Sequence, residues 1–118
     1  MSDSLAAEFI DGYLAEAEEH LASARASLVA IDEALKKRAR SLGPVRDLFR
    51  SVHTLKGLSA MVGAEPIVDI AHEMETLLRS ADQAGGDLPA HALDLIVKGL
   101  QGIEERVGCI SRRSSASP

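Results

Sequence analysis

Four stretches of this chain place apolar residues at alternating spacings of three and four, and three breaks containing glycine or proline separate them. In the first stretch the positions are Ile10, Leu14, Ala17, Leu21, Ala24, Leu28 and Ile31. Residues spaced this way share one side of an α-helix, so each stretch predicts a helix with a single apolar stripe. The second stripe is Val45, Leu48, Val52, Leu55, Ser59 and Val62, with Phe49 beside it. The third is Ile67, Ile70, Met74, Leu77 and Ala81, and the fourth is Leu93, Ile96, Leu100, Ile103, Val107 and Ile110. A helix cannot bury its own stripe. Four of them joined by short connections predict an all-α fold, an antiparallel up-down four-helix bundle. The near absence of aromatics (Phe9, Tyr13 and Phe49) and the wealth of Ala, Leu and Glu agree with helices over strands.

The ends of the helices carry their own signals. The first is expected from about Ser4 to Arg38, capped by Asp3 or Ser4, with Lys36, Lys37 and Arg38 at the negative end of its dipole. Pro44 is expected at the first position of the second helix and Pro66 early in the third, where a missing N–H costs nothing. Gly63 is the expected C-terminal cap of the second helix. Asp82–Asp87 reads as a loop, and Pro89 opens the fourth helix, which Gly99 and Gly102 weaken by roughly 1 kcal/mol each. The division expected is a bundle over residues 1–112 and a flexible tail or start of a linker over 113–118.

At 118 residues the chain is too short to hold both a nucleotide-binding catalytic domain and a substrate domain. A net charge of −5 without a basic block argues against nucleic-acid binding. One cysteine, Cys109, forms no internal disulfide and is expected to be a small buried hydrophobe. No apolar run is long enough to span a membrane, and Met1–Ser4 lacks the features of a signal peptide, so a cytoplasmic location is expected. No order of Ser, His and Asp and no Gly-rich phosphate loop points to a hydrolase or a nucleotide site, so no cofactor is expected in this domain.

His53 is the residue that stability does not explain. It falls at the edge of the second stripe, facing outward, with Arg46, Arg50 and Lys56 near it in sequence. Three cations oppose protonation of an imidazole and keep it a neutral nucleophile. They would also stabilise an anion once the ring carried one, and a phosphoryl group is the natural candidate. Gly57 lies one turn further on, in mid-helix, where glycine costs stability. A missing side chain there lets a large partner approach the imidazole. On the third helix His72, Glu75 and Arg79 share a face.

His53-Thr54-Leu55-Lys56-Gly57-Leu58-Ser59-Ala60-Met61-Val62-Gly63 resembles the motif of histidine phosphotransfer (HPt) domains. Ala71 to Leu78 and the opening Phe9 to Leu21 stretch are similar to the phosphotransfer domain of chemotaxis-type histidine kinases, CheA. The resemblance covers about residues 5–110. It implies that His53 accepts a phosphoryl group on Nε2 from an ATP-binding kinase domain and passes it to an aspartate of a response regulator. It places Lys56 near the phosphoryl oxygens, Glu75 as acceptor of the Nδ1 proton, His72 at the flank and Gly57 as the opening. ATP and Mg would be used by the partner kinase domain, and the chain itself would have no catalytic site of its own, as part of a histidine kinase. Leu58 stands where the motif commonly has a small residue: it either offers an apolar contact to a regulator or turns inward. Arg46 and Arg50 either solubilise the helix or meet an acidic regulator surface.

Other readings remain beside this one. They are a free-standing intermediate between two receiver domains, an adaptor bundle that is never phosphorylated, and a metal-binding bundle with His53 or His72 paired to Glu75. The last lacks matching carboxylate pairs on the first and fourth stripes. His20 and His91 read as surface residues. Because three other stripes need covering, the first helix is expected to serve the bundle core, leaving a monomer.

Overall fold

The computed structural model describes residues 2–116, and side chains over residues 5–114. Its four helices are α1 (Ser2–Lys36), α2 (Leu42–Met61), α3 (Glu65–Gln83) and α4 (Ala90–Ala116). Each helix packs on its neighbours in sequence, and α4 returns to pack on α1, while the diagonal pairs stay apart. This is the up-down bundle the four stripes predict. At 1.5 Å per residue α1 is about 52 Å long, and it sets the 54 Å length of the molecule, which is only 20 and 19 Å across.

The core follows the predicted stripes closely on α2 and α4. Val45, Leu48, Val52, Leu55 and Ser59 are buried, as are Leu93, Ile96, Leu100, Ile103 and Val107. On α1 the buried face includes Tyr13, with Ile10, Leu14 and Leu28 only half-buried at its margins. The Tyr13 hydroxyl lies 2.8 Å from Ser59 Oγ, which satisfies both polar groups inside the α1–α2 seam. Burial pushes the Tyr13 hydroxyl up from its ordinary value, against the Ser59 hydrogen bond.

The face of α3 is turned from the expected one. Ile67, Ala71, Met74, Leu78 and Ala81 are buried, and Ile70 and Leu77 are half-buried. Both series have helical spacing. Ile70 instead lies against α4, beside Gly99 and Gly102. A Cβ on Gly99 would stand 2.9 Å from Met74 Cγ and Sδ, so this glycine permits the close approach of α3 and α4.

Three connections end their helices in the same way. At Gly63 and Gly85 the backbone takes φ of +73°. The following residue donates back five positions along the chain, Ala64 N–H to Ser59 O (2.9 Å) and Gly86 N–H to Ala81 O (2.8 Å). The end of α1 has the same pair of bonds, Ala39 N–H to Ala34 O and Arg38 N–H to Leu35 O, yet the left-handed position is held by Arg38 at φ +56°. A side chain in that conformation costs about 1 kcal/mol or more. Arg38→Gly is therefore expected to stabilise the bundle by about 1 kcal/mol in urea denaturation, and a loss of stability would contradict this account.

Several terminal expectations need correction. α1 is already helical at Ser2, so neither Asp3 nor Ser4 is its cap. Pro44 is the third residue of α2, not the first, which is tolerated because its N–H would also lack a partner and Val45 N–H makes the first bond, to Ser41 O. Pro89 precedes α4 and its carbonyl accepts from Leu93 N–H. Cys109 is exposed, with an Arg112 N–H 3.2 Å from Sγ. α4 continues to Ala116, past the expected start of a tail at residue 113. Ser117 and Pro118 lie outside the described residues.

Candidate functional site

The middle of α2 faces the middle of α3, remote from all three connections. Glu75 sits there among Ala71, Met74 and Leu78, with its side chain only 2% exposed. A carboxylate in such a place needs hydrogen-bond donors. Both come from α2, one turn apart. His53 Nδ1–H donates to Oε2 at 2.6 Å and Lys56 Nζ to Oε1 at 2.5 Å. The spacing of 53 and 56 lets one carboxylate take a donor on each oxygen. Burial acts to raise the Glu75 pKa; the hydrogen bonds and charges of Lys56 and His53 outweigh it and hold the carboxyl below its ordinary 4.5.

The consequence for His53 is orientation. Its side chain remains 63% exposed while one nitrogen is tied to the bundle interior. A neutral ring that donates its Nδ1–H in a hydrogen bond to Glu75 leaves Nε2 unprotonated, with no protein partner among the described residues. The arrangement is that of an imidazole nucleophile with a fixed tautomer.

Of the other expected residues, His72 is near but not bonded: its Nδ1 is 3.9 Å from Glu75 Oε1 and its side chain is 68% exposed. Gly57 is exposed, and a Cβ built there would meet nothing within 4 Å, so nothing inside the bundle demands a glycine. Leu58 is half-buried against the core and lines a groove between α1 and α2 with Phe9, Tyr13 and Met61, which is the inward alternative.

The expected ring of three bare cations is corrected. Arg46 pairs with Asp82 at 2.8 Å and Arg50 with Asp47, while Lys56 is committed to Glu75. The arginine pairs are exposed and contribute little to stability. His53 is thus governed by one buried anion rather than by surrounding cations. His20 is half-buried beside Ser23 and Ser27 in a groove that Arg50 and Thr54 of α2 also line, whereas His91 is exposed. Among the described residues no group of three or more His, Cys, Asp or Glu is placed to hold a metal ion. No described helix is long and apolar enough to cross a membrane.

Sequence reasoning placed Phe49 one turn from His53 and Arg79 on the face of Glu75 but did not join the two. The Phe49 ring stacks on the imidazole, with centroids 6.0 Å apart and planes 7° from parallel. The Arg79 guanidinium lies 5.5 Å from the Phe49 centroid, an interaction of about 0.5–1 kcal/mol at an exposed site. The signal was present in the spacing: Phe49 is four residues before His53 and Arg79 four after Glu75, so antiparallel helices that join His53 to Glu75 also bring this second pair together.

The fold and site together are a four-helix bundle with an exposed imidazole oriented by a buried carboxylate. Residues 8–106 match the family described as Hpt domain, and the chain belongs to that family of histidine phosphotransfer domains in two-component signalling. It is 29% identical over 103 residues to the chemotaxis protein CheA of Bacillus subtilis (strain 168), covering 87% of this chain and 15% of that protein. Against CheA of Halobacterium salinarum it is 30% identical over 97 residues, 82% of this chain and 14% of the relative. Against CheA of Listeria monocytogenes serovar 1/2a it is 31% identical over 101 residues, 86% of this chain and 16% of the relative. The chain thus spans about one-seventh of the length of these relatives. No solved structure matches it.

Proposed function

We propose that His53 carries a phosphoryl group between an ATP-dependent kinase domain of the chemotaxis type and an aspartate of a response-regulator receiver domain. Nε2 attacks the γ-phosphorus of ATP bound, with Mg, to the kinase domain. The N–P bond forms, the bond from γ-phosphorus to the bridging oxygen breaks, and ADP leaves with the electron pair. The receiver's aspartate oxygen later attacks the same phosphorus and the imidazole leaves, while Glu75 holds the Nδ1 proton throughout. The observation that carries this reading is the exposed His53 ring tied through Nδ1 to the buried Glu75. Gly57 leaves room beside the ring for a partner of domain size. ATP, Mg and the catalytic groups belong to the partner kinase domain, and the 14–16% share of the CheA relatives supports reading this chain as one module of such a kinase.

The test is to incubate the chain with labelled ATP and a chemotaxis-type kinase core that lacks its own phosphotransfer segment. Acid-labile, alkali-stable label is expected on the parent and none on His53→Gln. Label that survives His53→Gln, or a parent chain that takes up none, overturns the reading. The latter result would favour the adaptor bundle.

A further inference from the structure

We propose that Arg79, resting on the ring of Phe49, is the cation that closes on the phosphoryl group when His53 carries it. The inference rests on the phosphocarrier reading and deepens it.

A phosphoryl group on Nε2 brings close to two negative charges to a ring already bonded to the Glu75 carboxylate. That concentration of charge calls for a cation. The charged and titratable groups around the ring are Arg46, Asp47, Arg50 and Lys56 on α2, and His72, Glu75, Arg79 and Asp82 on α3. Arg46 is held by Asp82, Arg50 by Asp47 and Lys56 by Glu75. Arg79 is the arginine of this group without a carboxylate within ion-pair distance among the described residues.

Its position is as telling as its freedom. The Phe49 ring touches both groups in question: it is 6.0 Å from the imidazole, nearly parallel to it, and 5.5 Å from the guanidinium. A cation–π contact at the surface is a weak hold, readily exchanged for charge-assisted hydrogen bonds. Lys56 is worse placed to serve. Drawing it to the phosphoryl group would strip a donor from Glu75, whose carboxylate is buried and has its two oxygens satisfied by Lys56 and His53 alone. Arg79 can move at no such cost, and its planar fork of N–H donors matches two phosphoryl oxygens at once. Phe49 thereby acts as a positioning residue twice over, as a stacking surface for the imidazole and as the seat of the guanidinium. No new covalent step is involved: the N–P bond is formed by the donor reaction, and Arg79 only contacts the product.

The experiment phosphorylates the 118-residue chain with phosphoramidate, a small donor whose P–N bond breaks as ammonia leaves, so no kinase docking is needed. The phosphorus NMR shift is then followed against pH to read the second ionisation of the phosphoryl group. A nearby guanidinium favours the dianion, so Arg79→Gln is expected to move that ionisation up by about half a unit, and Arg79→Lys to restore most of the shift. Phe49→Leu, which keeps an apolar side chain but removes the ring, is expected to move it in the same direction. A purely structural arginine would leave the titration unchanged. If Arg79→Gln titrates as the parent does, the proposal is overturned while the phosphocarrier reading stands. If the parent yields no phosphohistidine signal, or the signal survives His53→Gln, both fall together.

Discussion

Glu75→Met is expected to lower the rate at which His53 is phosphorylated by about 10- to 100-fold, the range seen when the carboxylate that orients a metal-bound imidazole is removed, while leaving the bundle at least as stable to within about 1 kcal/mol. The two halves of this expectation come from different physics. The rate falls because the ring loses the acceptor that fixes its Nδ1 proton. Stability is kept because a buried ion pair gives back in desolvation much of what it gains in attraction, and methionine fills a similar volume among Ala71, Met74 and Leu78. The partners are not stranded, since the His53 side chain is largely exposed and Lys56 retains 26%. Urea denaturation and the labelled-ATP rate read the two effects separately. An unchanged rate would remove the orienting role, and a loss of several kcal/mol would make the carboxylate a net structural element. Acid separates them further. A carboxyl whose folded pKa lies below its ordinary 4.5 contributes stability above that pH and loses it as the pH falls through the folded value. The parent is therefore expected to lose stability relative to the methionine variant below about pH 4.5.

Gly57→Leu is expected to act in the opposite sense on the two measurements. Leucine in an exposed mid-helix position stabilises α2 by roughly 0.5–1 kcal/mol relative to glycine, and nothing within 4 Å of the new Cβ opposes it. Transfer from a kinase domain is expected to fall by about 100-fold, because a side chain one turn from His53 displaces the donor from its reacting distance. Phosphorylation by phosphoramidate is expected to continue at the parent rate, since so small a donor needs no opening. Retained kinase transfer would end the access account of Gly57. Loss with both donors would mean that the leucine disturbs the ring itself.

Much of the fold was legible in the sequence because helix periodicity is a local property. The stripes of α2 and α4 match the buried faces except at their last members, Val62 and Ile110, which are half-buried, and the glycine at the end of α2 is legible from its conformational freedom. The α3 face was misread for a reason that can be named. Ile67, Ile70, Met74 and Leu77 form as good a helical series as Ile67, Ala71, Met74 and Leu78, and periodicity does not choose between them. The choice is made by the neighbours. Gly99 and Gly102 let α4 come close enough to take Ile70, which turns Ala71 and Glu75 toward α2. The same turn decides the fate of Glu75, which in sequence reads equally well as a solvated carboxylate.

The site divides along the same line. The choice of His53 as the candidate group, with Lys56 and Gly57 at their helical offsets, rests on a one-dimensional pattern: an imidazole at the edge of a stripe followed by a glycine that stability does not want. The electrostatics were not. Counting cations along α2 suggested a bare positive field, whereas folding pairs Arg46 with an aspartate of α3 and Lys56 with Glu75 and leaves Arg79 on a phenylalanine of the facing helix. Charges act through space and their partners lie 19 to 36 residues away along the chain. Spacing could therefore single out the imidazole, but only the packing of α2 against α3 could decide which anion orients it and which cation is left without a carboxylate partner among the described residues.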